Sequence, residues 1–273
     1  MSAINPADWI GRGDVSHDFT ARGPFERLAA LLDRAADDVV PPMGHLLCFP
    51  PMAAQAELGE DGHPGRGGIV PPIDLPMRMA AGSRVTFHAP IPLDADIRRF
   101  TCIEAVSEKS GRTGRLVFLT LRHDIFVDET NCVTEHADIV FRERSGNAHP
   151  LPPGERREAQ VSRTIEPTAA LLFRFSALTY NAHRIHYDRD YEMKAEGYPG
   201  LVVHGPLLAT LLMDHFRRHR PHDVVAAFDF KAQRPVFDLA PFTVNLVDTE
   251  MGADVWAADG DGYVAMTGKI RVA

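Results

Sequence analysis

Apolar positions recur along this chain with two different periods, and the order in which those periods appear occurs twice. In the first half, Leu28, Leu31, Leu32 and Ala35 fall on one face at helical spacing. Pro24 stands where a first helical turn tolerates a missing N–H. Strand-like runs follow at 84–87, 99–103, 116–121 and 137–141, with Gly111 and Gly114 punctuating the turn between the second and third. In the second half, Leu207, Leu208, Leu211, Leu212 and Phe216 form a second helical stripe, and strand candidates follow at 224–230, 242–247, 255–257 and 264–272. Pro90-Ile91 and Pro235-Val236 occupy similar places in the two halves.

Between the halves, residues 143–165 are polar, contain Pro150, Pro152, Pro153 and Gly154, and show no periodicity. This pattern divides the chain into a unit at 1–145, a linker at 146–164 and a unit at 165–273. Each unit then holds one helix and several antiparallel strands, an α+β plan in which a sheet buries the apolar stripe of its helix. Joining two such units edge to edge also hides a sheet edge from solvent.

Bulk properties narrow the function. A length of 273 residues is ample for a sizeable core. A formal net charge of −8 argues against general nucleic-acid binding, which needs a basic footprint. Cys48, Cys102 and Cys132 are odd in number and form no Cys-x-x-Cys, so neither a disulfide framework nor a zinc site is expected and a reducing compartment fits. No apolar run approaches the roughly 18 residues that span a bilayer. The beginning of the chain lacks a cationic-apolar signal pattern. A cytoplasmic protein is the expectation.

Two short segments carry the candidate chemistry. The run Phe175-Ser176-Ala177-Leu178-Thr179-Tyr180-Asn181-Ala182-His183-Arg184-Ile185-His186-Tyr187-Asp188 sets two histidines and an asparagine within six positions. Some twenty residues on, Val203-His204-Gly205-Pro206-Leu207-Leu208 reads as a helix start. Imidazoles near neutrality move protons, and unpaired N–H groups at a helix start favour developing negative charge. That combination suits chemistry beside a carbonyl. Arg217-Arg218-His219-Arg220 reads as a basic helix C-terminus. Gly65-Arg66-Gly67-Gly68 is not followed by the Lys-Ser/Thr of a phosphate loop. His17, His45, His63 and His88 lack metal-ligand spacing, and no Gly-x-Ser-x-Gly elbow is present, so no metal and no cofactor are expected.

The run 176–188, with 203–208 behind it, resembles the MaoC-like hydratase/dehydratases of the hot-dog fold. Glu57-Leu58-Gly59-Glu60-Asp61-Gly62-His63-Pro64-Gly65-Arg66-Gly67-Gly68, with Pro71-Pro72 and Leu75-Pro76-Met77-Arg78-Met79 after it, resembles the two-domain branch. That branch contains mesaconyl-CoA and itaconyl-CoA hydratases and the mitochondrial-type 3-hydroxyacyl-thioester dehydratase. The resemblance implies a double hot-dog: two antiparallel sheets, each wrapping a central helix, joined in one chain. It implies a CoA or acyl-carrier thioester bound in a tunnel along the helix, and reversible addition of water across a 2,3 double bond. An Asp and a His five residues apart hold the water in such proteins. The His maps to His186, and the Asp position holds Asn181.

Within this frame Asn181 is expected to orient the nucleophilic water and His186 to take its proton and return it to carbon 2. The Gly205 N–H is expected to meet the thioester oxygen, where a missing side chain allows close approach. His183, Arg184, His204 and Arg234 are expected around the substrate, the arginines as anion-binding forks. The first half shows no partner for the Asn181/His186 pair and reads as a degenerate unit that shapes the acyl pocket. The expected substrate is a branched C5 dicarboxylyl-CoA, mesaconyl-C(4)-CoA or itaconyl-CoA, hydrated to citramalyl-CoA. A 3-hydroxyacyl-thioester dehydratase of fatty-acid metabolism, or an acyl-thioester-binding protein without turnover, are the alternatives. A homodimer of double units is expected.

Overall fold

A computed structural model describes residues 6–64, 69–111, 114–143 and 151–273. The Gly65–Gly68 stretch and part of the expected linker (144–150) lie outside the described residues.

Among the described residues, ten strands form one continuous antiparallel sheet. They are β1 (Gly13–Phe19), β2 (Met77–Phe87), β3 (Asp96–Gly111), β4 (Gly114–Val127), β5 (Thr130–Arg142), β6 (Val161–Ile165), β7 (Val225–Ala232), β8 (Phe242–Thr249), β9 (Gly252–Ala258) and β10 (Val264–Val272). Their order is β1-β3-β4-β5-β2-β7-β10-β9-β8-β6. Read from each outer edge inward, the two halves follow the same plan: first, third, fourth, fifth and second strand of the half. The repeat inferred from hydrophobic patterning is therefore a repeat of topology.

The halves join through β2 and β7, with Gly82↔Lys231 through Thr86↔Ala227 in register. The seam needs Gly82: a Cβ there would stand 2.3 Å from the Phe230 carbonyl oxygen. The β2–β5 register shifts between Ala80 and Gly82, so the strand bends at the point of closest approach. The expected edge-to-edge joining holds, and it turns two sheets into one.

The described residues hold four α-helices. They are α1 (Arg22–Leu31), α2 (Ala169–Leu178), the single turn α3 (Arg189–Tyr191) and α4 (Gly205–His219). Only α4 is long, and every side chain from Leu207 to Phe216 is buried. Burial of a Leu or Phe stabilises by about 1.5–3 kcal/mol. The apolar stripe of α4, packed on β8, β9 and β10, therefore anchors the second half.

The helix correspondence differs from the expected one. In chain order α1 follows β1 as α2 follows β6, so α1 matches α2 and not α4. The first half fills the place of α4 with irregular chain and two short 3-10 turns, Gly44–Leu47 and Gln55–Glu57. Prolines at 41, 42, 50 and 51 explain this, since a residue before proline is disfavoured in helix. β6 begins at Val161, inside the stretch read as linker.

Candidate active site

The site grows from the end of α2. Thr168 caps that helix, its hydroxyl accepting from the Leu171 N–H at 3.2 Å. After Leu178 the chain reverses through Tyr180, whose φ of 50° is left-handed. The Asn181 N–H returns to the Ser176 carbonyl at 2.8 Å. The Asn181 side-chain carbonyl accepts the His183 N–H at 2.9 Å, closing an Asx turn. The expected water-orienting oxygen thus already holds the loop that carries both histidines, with one lone pair and its NH2 group left over.

A 3-10 turn, Arg184–His186, then places His186 in the interior. Its Nδ1 lies 2.7 Å from the Val202 carbonyl oxygen, which can only accept. Nδ1 is therefore the protonated nitrogen, and Nε2 offers a lone pair. Burial holds the His186 imidazole down to about 4, against a smaller upward effect of the Val202 hydrogen bond. The ring is neutral at physiological pH.

His204 is the residue before α4. Its ring stacks on His186 at 3.6 Å between centres, 19° from parallel. Its Nε2 lies 2.8 Å from the Ser176 hydroxyl. Its Nδ1 is buried with no hydrogen-bond partner among the described residues. Burial, with His186 and His183 nearby, holds His204 down to about 2. Gly205 opens α4 with Pro206 behind it and no acidic residue in the first turn. A Cβ added to Gly205 would meet nothing within 4 Å, so a ligand atom can reach this helix start.

The first half also enters the site. The segment Gly59–Pro64 folds on itself through Gly59 N–H to His63 O (2.7 Å) and Gly62 N–H to Gly59 O (2.9 Å), and docks on 182–184. The Arg184 N–H donates to the Asp61 carbonyl at 2.8 Å, and Arg184 Nη1 donates to the Glu60 carbonyl at 3.0 Å. Gly62 has a φ of +84°, and a Cβ there would lie 2.0 Å from the Ala182 carbonyl oxygen. This docking puts the His63 ring 3.9 Å from the His183 ring, and His183 edge-on to His186 at 5.4 Å. His63 Nδ1 and N–H reach the two Asp61 carboxylate oxygens at 3.2 and 3.0 Å. The first half therefore reaches the second-half histidines through His63, which lies on His183. His63 belonged to a set without metal-ligand spacing. Its neighbours come from two residues before it and from the other half.

Asp61, His63 and His183 offer donor atoms within 4.8 Å of one another. Two imidazoles on one tetrahedral ion, with metal–nitrogen bonds of about 2.0–2.1 Å, would hold their ring centres about 5 Å apart. At 3.9 Å these two rings lie against each other, and the Asp61–His63 hydrogen bond already occupies one nitrogen.

The remaining sequence-derived candidates separate. Arg184 is engaged as a brace, with Nη2 and Nε on Asp188 at 2.8 and 3.1 Å and its guanidinium over the Tyr191 ring. Asp188 also caps α3 through the Tyr191 N–H. Arg234 is not brought to the cluster. It pairs with Asp259 at 3.0 Å and lies over Tyr263. The basic end of α4 pairs with Asp37, Asp214, Asp248 and Asp223.

The family model for hydroxyacyl-thioester dehydratase type 2 matches residues 43–238, a span that holds the docking loop, the histidine turn and the start of α4. The chain belongs to this family. It is 42% identical over 279 residues to the mesaconyl-C(4)-CoA hydratase of Chloroflexus aurantiacus, covering 100% of this chain and 99% of that one. It is 26% identical to the mitochondrial hydroxyacyl-thioester dehydratase type 2 of Schizosaccharomyces pombe, covering 86% and 90%. Among solved structures, HtdX of Mycobacterium tuberculosis superposes with a TM-score of 0.70 at 17% identity, covering 96% and 100%. A MaoC-like dehydratase from Phytophthora capsici superposes at 0.69 and 12%, covering 99% and 98%. A Mycobacterium tuberculosis protein with a double hot-dog fold, Rv0216, superposes at 0.57 and 11%, covering 98% and 98%, and with the family match these likenesses establish the double hot-dog fold of the MaoC-like group.

Proposed function

We propose that this chain catalyses the reversible hydration of a 2-enoyl-CoA, with mesaconyl-C(4)-CoA or itaconyl-CoA as substrate and citramalyl-CoA as product. It is a hydro-lyase. The observation that carries the reading is the neutral His186, whose Nδ1 is held by Val202 so that Nε2 is the free base, one stacked ring away from the open helix start at Gly205. Full-length identity of 42% to the mesaconyl-C(4)-CoA hydratase supports the C5 dicarboxylyl substrate.

In this reading His186 Nε2 takes a proton from water as the water attacks carbon 3. The Asn181 amide helps to orient that water. Negative charge spreads to the thioester oxygen, which meets the Gly205 N–H at the positive end of α4. His186 then returns the proton to carbon 2. A positioned base contributes about 10²–10⁴-fold. One oxyanion donor is worth about 3–4 kcal/mol in the transition state. His183 and His204 line the acyl group. Arg184 and Arg234 act as braces in this scheme and not as phosphate or carboxylate forks. The unit from Val161 onward carries the reaction, and the unit 1–145 walls the acyl pocket. The protein works in the cytoplasm as a homodimer; its three thiols are unpaired, as a reducing compartment leaves them.

The family match supports a second reading, dehydration of a 3-hydroxyacyl thioester on CoA or an acyl carrier. The chemistry is the same in reverse, so the acyl group decides. Loss of conjugated double-bond absorbance would be followed with mesaconyl-, itaconyl- and crotonyl-CoA. Preference for the first two supports the C5 assignment, and preference for straight chains supports the dehydratase. His186→Ala should lose about 10²–10⁴-fold of the rate. Equal inactivity of the native chain and this variant on every ester would leave a binding protein without turnover.

A further inference from the structure

A buried imidazole with a proton affinity as low as that of His186 accepts a proton reluctantly, so something must offset the charge during turnover. Within the histidine turn, 181–188, the described residues offer no unengaged anion. Asn181 is an uncharged amide, and Asp188 is held by Arg184 and the Tyr191 N–H. The carboxylate that meets the histidines is Asp61, which the first half delivers on Gly59–Pro64. We propose that the active site is shared between the two halves, and that Asp61 is its positioning carboxylate: through His63 it holds His183 against His186 and balances the positive charge of the imidazole cluster while the proton of water resides there.

The geometry supports each part. Burial alone would raise the Asp61 carboxyl, but hydrogen bonds from the His63 ring and N–H outweigh burial and hold it to about 2, so it is an anion throughout the working range. The titratable and charged groups acting on His183 include His63, His186, His204, Asp61 and Arg78, and of these Asp61 carries the negative charge. The path from carboxylate to base is a sequence of direct contacts: Asp61 to His63 at 3.2 Å, His63 against His183 at 3.9 Å, and His183 edge-on to His186 at 5.4 Å. The docking is specific, because Gly62 lies where no side chain fits against Ala182. Protons balance: one leaves water for His186 Nε2, the cluster is one unit more positive until carbon 2 is protonated, and the cluster then returns to its starting state. Asp61 neither gains nor loses a proton.

The inference rests on the hydratase reading. Its test is steady-state hydration of the best enoyl-CoA by the native chain, Asp61→Asn, Asp61→Glu and His63→Gln, across pH, with folded protein quantified for each. Asp61→Asn keeps size and one acceptor oxygen and removes the charge. Its kcat should fall about 100-fold with KM little changed. The acid limb of kcat/KM should move to lower pH, because losing a nearby anion makes an imidazole harder to protonate. Asp61→Glu should recover part of the rate, and His63→Gln should reproduce the loss. A purely structural role would lower the folded fraction or the melting temperature and leave kcat per folded chain and the acid limb in place; that result overturns the proposal. So does one transition-metal ion per purified chain that is absent from Asp61→Asn, which would make the cluster a metal centre. An active native chain with fully active Asp61→Asn defeats this inference alone. A native chain inactive on every enoyl thioester defeats the hydratase reading and this inference with it.

Discussion

The imidazoles of His186 and His204 lie face to face, with ring centres 3.6 Å apart and planes 19° from parallel. One ring comes from the turn after α2, the other from the residue before α4, so the stack ties the candidate base to the open helix start at Gly205. Both rings are held neutral mainly by burial. His204→Ala removes one wall of that burial and lets water reach His186. The His186 ring should then titrate upward from about 4 toward the ordinary 6.5, followed by ring-carbon NMR. The hydration rate should fall by about 100-fold, because a base displaced by an ångström loses its alignment. An unmoved titration would show that the stack does not shield His186.

Gly62 allows the first half to reach the site. Gly62→Ala forces a methyl group to within 2.0 Å of the Ala182 oxygen at a φ of +84°. Ala at a positive φ destabilises by more than about 1 kcal/mol on its own. The loop must lift, taking Asp61 and His63 from His183. Thermal unfolding should show the destabilisation, and the residual activity should match that of Asp61→Asn. Native-like activity would mean that the loop contact is dispensable.

Asp214 lies nine residues along α4 from Gly205, about 13 Å at the helical rise. It is buried and binds Arg34 of the first half (3.1 Å) together with Arg163 (2.7 Å) and Arg218 (2.9 Å). Removing one member of a buried ion-pair group costs about 3–5 kcal/mol, and the partly exposed arginines place this case near 3 kcal/mol or below. Asp214→Ala should lower the urea midpoint accordingly while the rate per folded molecule stays native. A change in rate at unchanged stability would contradict this.

Acid should destabilise the fold in two stages. His123 and His186 are held to about 4 and His183 and His204 to about 2, in each case chiefly by burial. The unfolded chain therefore binds protons first as pH drops below 6.5. Stability is complete above that value and is lost on the way down, by up to about 1.4 kcal/mol per pH unit for each imidazole. Buried Glu135 adds a later stage. Burial would raise it, but His45, with His123 and the Ser83 hydroxyl, outweighs burial and holds it to about 2. Its contribution is present above its ordinary value of 4.5 and fades as pH falls toward 2. Melting temperatures between pH 8 and pH 4 should be level above 7 and fall below 6.5; a level profile down to pH 5 would refute the buried neutral histidines.

The long inner strands were legible because their side chains alternate: Val117, Leu119 and Leu121 are buried on β4 as a half-buried strand requires. β1 and β6 were not, because edge strands bond on one side only, and β1 carries Asp14, Ser16 and Asp18 with little burial. α2 left a readable signal in Thr168 before an apolar run, which passed as an apolar segment. Asn181, His183, His186, His204 and Gly205 were all visible, since a loop of six residues and a helix start announce themselves by local spacing. Asp61 stood in the resemblance to the two-domain branch, yet nothing within its own segment linked it to His183.

What the sequence determined by itself had a short range: the periods of α1, α4 and the inner strands, the histidine turn and the glycine–proline helix start. These follow from steric and hydrogen-bonding preferences of neighbouring residues. Tertiary structure alone decided that the two halves close into one sheet at β2 and β7, and that Asp61 and His63 meet an imidazole some 120 residues away. That meeting depends on a strand seam and a glycine contact between segments that share no local pattern, and only the packed chain brings them together.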